Sequence, residues 1–437
     1  MTRAYFTICS HNYLAYALGL RDSLLAAEPE AAFTIFLADE PLEGAAPCED
    51  IVPAAEIGLP DIGDMTFRYD VMEFNTAVKP FCFDYLFDRR GAEAAVYLDP
   101  DILVLRPLDH AIAALAGGAA AVLTPHITAP LEEDGKRPDA RDLLASGTYN
   151  LGFAAFANRP EARAFIRWWA AQCETACFSD PARGLFVDQK FAEFVPAFVG
   201  ATTILRHPGY NAAYWNLQER PIARGPDGAW TAGGEPLHFF HFSGVVPGDS
   251  SIFSKHQNRF TPENIGPASD LLNDYLARLE ANGAQRWGSV AYGFDSFADG
   301  TLIPQAARRI YAQRKAAGEP AAPFEPAYDI LNAPSAAVDQ DAGAPVTVFM
   351  EAIWRARPDL QALFPLSSDA GRRGFHRWFI LNAEEECRAS PALLAAARAG
   401  GAGAGLNAAR WMYRALPDGL RNFLRKKNLS HSSSPRR

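Results

Sequence analysis

The chain has 437 residues, room for two or three domains at ~150 residues each. Hydrophobic residues make up 49% and charged ones 21%, with 33 Gly and 32 Pro, which excludes wholesale disorder and a low-complexity chain. The formal charge of −10, from 51 Asp/Glu against 41 Lys/Arg, disfavours a bulk-cationic nucleic-acid binder. Met1-Thr2-Arg3 before Ala4–Cys9 is too short for a signal peptide, and Ala4–Cys9 reads as a first strand. Leu14, Ala17, Leu18 and Leu25 then recur at helical spacing, and Phe33–Leu37, ending in Ala38-Asp39, is a second strand. Asn75–Phe87 is helical, with Pro80 expected to start or kink it, and Ala94–Leu98 is a third strand.

This alternation predicts an α/β layer with a mostly parallel sheet, and chemistry just after Cys9 and just after Leu98. The longest apolar run, Ala111–Leu123, falls short of ~20 residues and holds two glycines, so no bilayer span is expected. Pro160 opens an amphipathic helix with Phe165, Ile166, Trp169, Cys173 and Cys177 on one face, and Arg163, Arg167 and Glu174 expected to point away. The six cysteines show no CxxC pair, which excludes a zinc ribbon or a thioredoxin-like motif. The expectation is a cytoplasmic protein. The Ala/Pro-rich residues 314–346 are a linker candidate; Thr347–Arg357 and Pro391–Arg398 are helical, and a Gly/Ala stretch follows from Gly400.

Chemistry is written in a series of short segments. In Val96–Leu105, Asp99 and Asp101 interrupt an apolar run; on an extended backbone both would project from one face and suit a hard divalent cation. The bland alternative is a solvated turn. Asn150 and Gly152 sit inside an apolar strand, where glycine marks either a close approach or a bulge. Asp188-Gln189 open a helical run, where Asp188 could serve only the helix dipole. His207-Pro208-Gly209-Tyr210-Asn211 reads as a turn. His238 and His241, followed by Ser243-Gly244, are better ligand candidates than a lone histidine.

Taken in order, the D-x-D, N-x-G, D-Q, P-x-Y-N and H-F-S-G segments resemble glycosyltransferase family 8 and its bacterial relatives over about residues 4–260. The resemblance implies a GT-A fold, Rossmann-like with a mostly parallel sheet flanked by helices, and a retaining, metal-dependent hexosyltransferase using a nucleotide diphosphate sugar, UDP-linked by expectation. It implies that Asp99, Asp101 and His241 hold the metal, for which Mn²⁺ suits a histidine ligand better than Mg²⁺. By the same matching, Ser10, Asn12 and Tyr13 lie at the base and ribose, Lys79 at the diphosphate or donor sugar, Asn150 and Gly152 along the donor pocket, and Asp188 and Gln189 beside the reacting sugar. The acceptor would be a saccharide or a lipid-linked cell-envelope molecule. The sequence departs from the family at Ser10-His11, where an acid is usual, at Lys79, where Arg is usual, and after Gly244, where Val245-Val246-Pro247 stands for the usual Lys-Pro-Trp and Lys255 would supply the phosphate contact.

Front-face transfer and double displacement with Asp188 as nucleophile both remain open. A D-x-D phosphohydrolase explains Asp99 and Asp101 but leaves Asn150, Asp188-Gln189 and His241 without a role; a catalytically degenerate carbohydrate-binding module is the non-enzymatic alternative. The implied organisation is a catalytic domain over 1–260, a helical or irregular extension over 261–335, a C-terminal helical region over 336–409 and a basic amphipathic tail over 410–437. The segment 325–390 resembles an extension found beside bacterial glycosyltransferases. From Arg410 on, eight Lys/Arg face one Asp, leaving −17 for the remainder; aromatic and basic residues at helical spacing there suit peripheral contact with an anionic membrane surface.

Overall fold

The computed structural model describes residues 1–41, 48–338 and 344–400. The basic tail and the Gly/Ala stretch after Gly400 lie outside the described residues. Among the described residues no helix is long and apolar enough to cross a membrane, and all six cysteines are free. The chain divides into two compact units, Met1–Met65 with Val71–Phe294, and Thr66–Asp70 with the residues from Asp295 on.

In the large unit, β1 (Arg3–Cys9), α1 (Leu14–Ala27), β2 (Ala32–Leu37) and β3 (Ile51–Pro53) alternate as expected. They are followed by α2 (Val71–Ala77), α3 (Lys79–Arg89), β4 (Ala94–Leu98), β5 (Ile102–Val104) and α4 (Asp109–Ala116). Next come β6 (Ala121–Pro125), β7 (Tyr149–Ala157), α5 (Pro160–Ala176), β8 (Thr202–Ile204), β9 (Ala212–Ala213), β10 (Phe239–His241) and α6 (Ala268–Ala281). Seven strands form one sheet in the order β8-β6-β7-β4-β1-β2-β3. It is parallel throughout except for β7, which runs antiparallel to both β4 and β6. The α/β class is therefore as expected. Helices cover both faces, so β4 is buried along its whole length and reads as a continuous apolar run.

The helical stretch before β4 is broken at Val78, and Pro80 occupies the first turn of α3, where its missing N–H costs nothing. Helix α5 corrects one expectation. Arg163 is buried rather than pointing away, because α5 packs on α3 and the guanidinium reaches Asp84 (3.4 Å) and Asp88 (2.8 Å). A second, three-stranded sheet, β9-β10-β5, aligns His241 with Ile102 and thereby carries the H-F-S-G segment to the end of β4.

The small unit is helical. Its helices α7 (Gln305–Ala316), α8 (Val348–Ala356), α9 (Asp369–Cys387) and α10 (Pro391–Gly400) enclose a core that includes Phe349, Met350, Phe375, Phe379 and Leu393. Thr347 caps α8 by accepting from the Met350 amide at 3.2 Å. Phe67, from the Thr66–Asp70 segment, belongs to this core. Arg308 on α7 donates to the carbonyls of Thr66, Phe67 and Tyr69 at 2.8–3.0 Å, satisfying a strip of buried backbone. The described residues of the linker candidate, 314–338 and 344–346, belong to this unit, with Leu331 and Val346 in its core.

Candidate active site

The carboxyl end of β4 builds the site. After Leu98 the chain turns rather than extends, with the Ile102 amide donating to the Asp99 carbonyl at 3.1 Å. Asp99 and Asp101 nevertheless converge, because that turn wraps around the end of β10. Their carboxylates and the His241 imidazole have ligand-capable atoms all within 4.8 Å of one another. His241 Nε2 lies 3.0 Å from Asp101 Oδ1 and 3.6 Å from Asp99 Oδ2. Burial raises the Asp99 pKa against the pull of Lys79 and His241. For His241, burial opposes the charged ring, but Asp101 and then Asp99 outweigh it and raise the pKa.

The imidazole is aimed by a relay of amides. His241 Nδ1 pairs with Asn211 Oδ1 at 3.2 Å, an orientation that leaves Nε2 facing the two carboxylates. Asn211 Nδ2 donates to Asn150 Oδ1 (3.0 Å) and Thr124 Oγ1 (2.9 Å), and Asn150 Nδ2 lies 3.2 Å from His126 Nε2. Asn211 is fully buried in a left-handed conformation, φ 55°, which Asn tolerates better than most residues. Gly152 closes the arrangement: a Cβ there would overlap the His241 ring and Asn150 Oδ1. Asn150 and Gly152 are thus neighbours of the histidine, and the close approach expected at Gly152 is to a side chain. Two carboxylates and an oriented imidazole fit a divalent cation.

A second cluster adjoins it. Lys79 Nζ, 2% exposed, pairs with Asp188 Oδ2 at 2.8 Å, donates to the Leu151 carbonyl at 3.2 Å and lies 4.1 Å over the Tyr97 ring. Burial raises the Asp188 pKa against the pull of Lys79. Asp188 makes no side-chain cap on the 3-10 run Gln189–Phe194. Gln189 accepts from the Leu151 amide (2.9 Å) and donates to the Ser146 carbonyl (2.9 Å), so it ties β7 to the preceding segment. Val187, just before this pair, has φ 42°, a strained value for a β-branched residue.

At the end of β1, Ser10 Oγ donates to Asn12 Oδ1 at 2.6 Å, and Tyr13 stacks on Tyr16 with ring centres 4.6 Å apart. Burial raises the Tyr13 pKa, with Asp101 and Asp99 adding to the effect. Lys255 is exposed, its amide donating to the Gly244 carbonyl at 3.0 Å; partial burial lowers its pKa and Asp101 opposes that shift.

Sequence reasoning assigned no role to Asp39, His126 or Asn211. Asp39, buried at the end of β2, accepts from the His11 amide (3.1 Å) and the Gly293 amide (2.9 Å) and lies 3.3 Å from His11 Nδ1. An acid at the carboxyl end of a parallel strand was the available signal. For Asn211 the signal was the P-x-Y-N turn; nothing local marks His126.

No family model matches the chain. A curated relative, the uncharacterized protein YfnD of Bacillus subtilis (strain 168), is 30% identical over 166 residues, 37% of this chain and 50% of the relative. The chain thus spans about half the length of the curated relative it matches. Solved structures similar to this chain include a galactosyltransferase, LgtC, in complex with donor and acceptor sugar analogs, at 13% identity and TM-score 0.36, covering 63% of this chain and 95% of that one. The glycosyltransferase GlyE of Streptococcus pneumoniae TIGR4 matches at 14% identity and TM-score 0.34, covering 68% and 67%. Mouse xyloside xylosyltransferase 1 matches at 12% identity and TM-score 0.33, covering 55% and 97%.

Proposed function

We propose that this chain is a glycosyltransferase that moves a hexose from a nucleotide diphosphate sugar, UDP-linked, to a saccharide or lipid-linked acceptor of cell-envelope polysaccharide synthesis, with retention of configuration. The observation that carries the reading is the convergence of Asp99, Asp101 and an oriented His241 at the carboxyl end of β4, where an open α/β sheet places its ligands. Held by these three residues, a divalent cation, Mn²⁺ given the imidazole, would neutralise the diphosphate of the donor. Asn211 and Gly152 keep His241 in that geometry, and the base and ribose would rest against Ser10, Asn12 and Tyr13 at the end of β1. His11, held by Asp39, stands where the sequence lacked the expected acid and gives the base site its polarity.

Lys79 supplies a fixed positive charge near the breaking sugar–phosphate bond, the kind of preorganised charge that stabilises developing negative charge most. Its pairing with Asp188 favours front-face transfer over double displacement, since a nucleophilic Asp188 would have to leave a 2.8 Å ion pair. In front-face transfer the departing phosphate takes the acceptor proton, and the protein needs no separate base. Lys255, exposed beside the Gly244 turn, would meet the diphosphate from the loop side.

A screen of nucleotide sugars for hydrolysis with Mn²⁺ tests the reading without the acceptor. Turnover of one donor is expected, falling at least ~100-fold in Asp101→Asn, which removes one ligand charge. Phosphatase activity without nucleotide-sugar turnover would overturn it.

A further inference from the structure

A second set of metal-ligating side chains lies outside that constellation. His110 stands in the first turn of α4, His207 opens the His207–Asn211 turn, and His238 immediately precedes β10. Their ligand-capable atoms all lie within 4.8 Å of one another. Ring centres are 4.5 Å apart for His110 and His207, 5.0 Å for His110 and His238, and 5.2 Å for His207 and His238. Three imidazoles bound to one tetrahedral ion through nitrogens at about 2.1 Å place their ring centres about 5 Å apart.

The hydrogen bonding around the rings supports a ligand. His238 Nδ1 lies 2.7 Å from the Pro107 carbonyl, which places the proton on Nδ1 and leaves Nε2 with a free lone pair. That Nε2 is buried without a hydrogen-bond partner, on a side chain only 4% exposed. An unpartnered buried acceptor is costly, and an ion would satisfy it. His110 Nδ1 lies 3.1 Å from Asp109 Oδ1, the carboxylate–imidazole pairing that commonly orients metal ligands. His207 is the ring that must adjust. Its Nδ1 accepts from the Gly209 amide at 3.1 Å, and ligation through Nε2 would move the proton to Nδ1 and give up that bond. Burial lowers the pKa of both His207 and His238, against the Pro107 carbonyl at His238, a direction that favours the neutral imidazole a metal requires.

We propose that His110, His207 and His238 form a second metal site, selective for a borderline transition ion of the Zn²⁺ class, with water as the fourth ligand. Three imidazoles suit such an ion, whereas Mg²⁺ and Ca²⁺ prefer all-oxygen shells. The site would clamp three segments that matter elsewhere. One is α4; the second is the turn that ends at Asn211; the third is β10, which carries His241 three residues after His238. Gly209 brings the turn close enough for this, since a Cβ there would overlap the Pro236 carbonyl. The inference rests on different residues from the proposed transferase and stands or falls separately from it.

The test is a Zn²⁺ titration of the full chain, stripped of metal by a chelator, read by calorimetry and by metal analysis of the desalted protein. The unaltered chain should take up two equivalents, one at each site. Asp101→Asn should retain one equivalent, and His110→Ala should also retain one, with affinity at the second site reduced at least ~100-fold. The His110 side chain is 46% exposed, so its removal leaves folding intact, and circular dichroism checks this. His207→Gln is the second variant and should give the same loss. In Co²⁺-loaded Asp101→Asn, a visible ligand-field band of a tetrahedral, nitrogen-rich site should be present and should vanish when His110→Ala is added. Equal Zn²⁺ uptake by the unaltered chain and His110→Ala would overturn the proposal, as would loss of all bound Zn²⁺ in Asp101→Asn.

Discussion

At Gly152 the missing side chain is what lets His241 sit against β7. Any Cβ there meets the imidazole and Asn150 together, so the strand can carry only glycine while the histidine keeps its aim. Gly152→Ala is expected to weaken Mn²⁺ binding at least ~10-fold and to cost about 1–3 kcal/mol of stability through overpacking. Calorimetric titration with Mn²⁺ measures the first and urea unfolding the second; unchanged metal affinity would show that His241 is positioned by Asn211 alone. Much of this residue-level chemistry was legible in order of sequence, since Asp99, Asp101, Asn150, Gly152 and His241 all stand in short segments of unusual composition. His126 was not, and Asn211 was only part of a turn, because the relay joins residues 24 to 87 positions apart and its contacts are set by the fold.

The elements were largely legible as well, for a physical reason. Strands buried on both faces, such as β4 and β7, are continuous apolar runs, and Pro80 and Pro160 mark helix starts that no other position of those helices would accept. What a single element does not disclose is the charge on its partner. The periodicity of α5 alone sends Arg163 to solvent, yet Asp84 and Asp88 on α3 hold it in. Burial raises the Asp84 pKa against Arg163, so removing the guanidinium would leave a half-buried acid without its cation. Arg163→Ala is expected to lower stability by about 1–3 kcal/mol, measured by urea unfolding, and Asp84→Asn in the same chain should recover part of that. Likewise the D-x-D backbone turns where an extended reading was natural. It is the β10–β5 pairing, distant in sequence, that fixes which way the two acids face.

For the molecule as a whole, pH acts through a buried neutral histidine. Burial pushes the His126 pKa from the ordinary 6.5 to about 4. The unfolded chain therefore binds a proton between those values that the folded chain does not, and stability declines as pH falls from 6.5 toward 4. The contribution is up to about 3 kcal/mol at the acid end. A series of thermal melts between pH 7 and 4.5 should show a shallower decline for His126→Gln than for the unaltered chain; parallel curves would assign the acid sensitivity to other groups. His207 and His238, also lowered by burial, act with the same sign and are retained in both chains of that comparison. The chain divides into a sheet-based unit and a helical unit. The interleaving of Thr66–Asp70 was invisible in the sequence, because five residues carry no periodicity of their own.

That interleaving also sets a timetable for synthesis. The small unit owns Phe67 in its core and takes Arg308 bonds on the carbonyls of Thr66, Phe67 and Tyr69, yet its remaining residues leave the ribosome about 225 positions later. At roughly 10 residues per second, the Thr66–Asp70 segment waits about 20 s for its partners. The small unit therefore cannot finish folding until the entire sheet-bearing unit has been made.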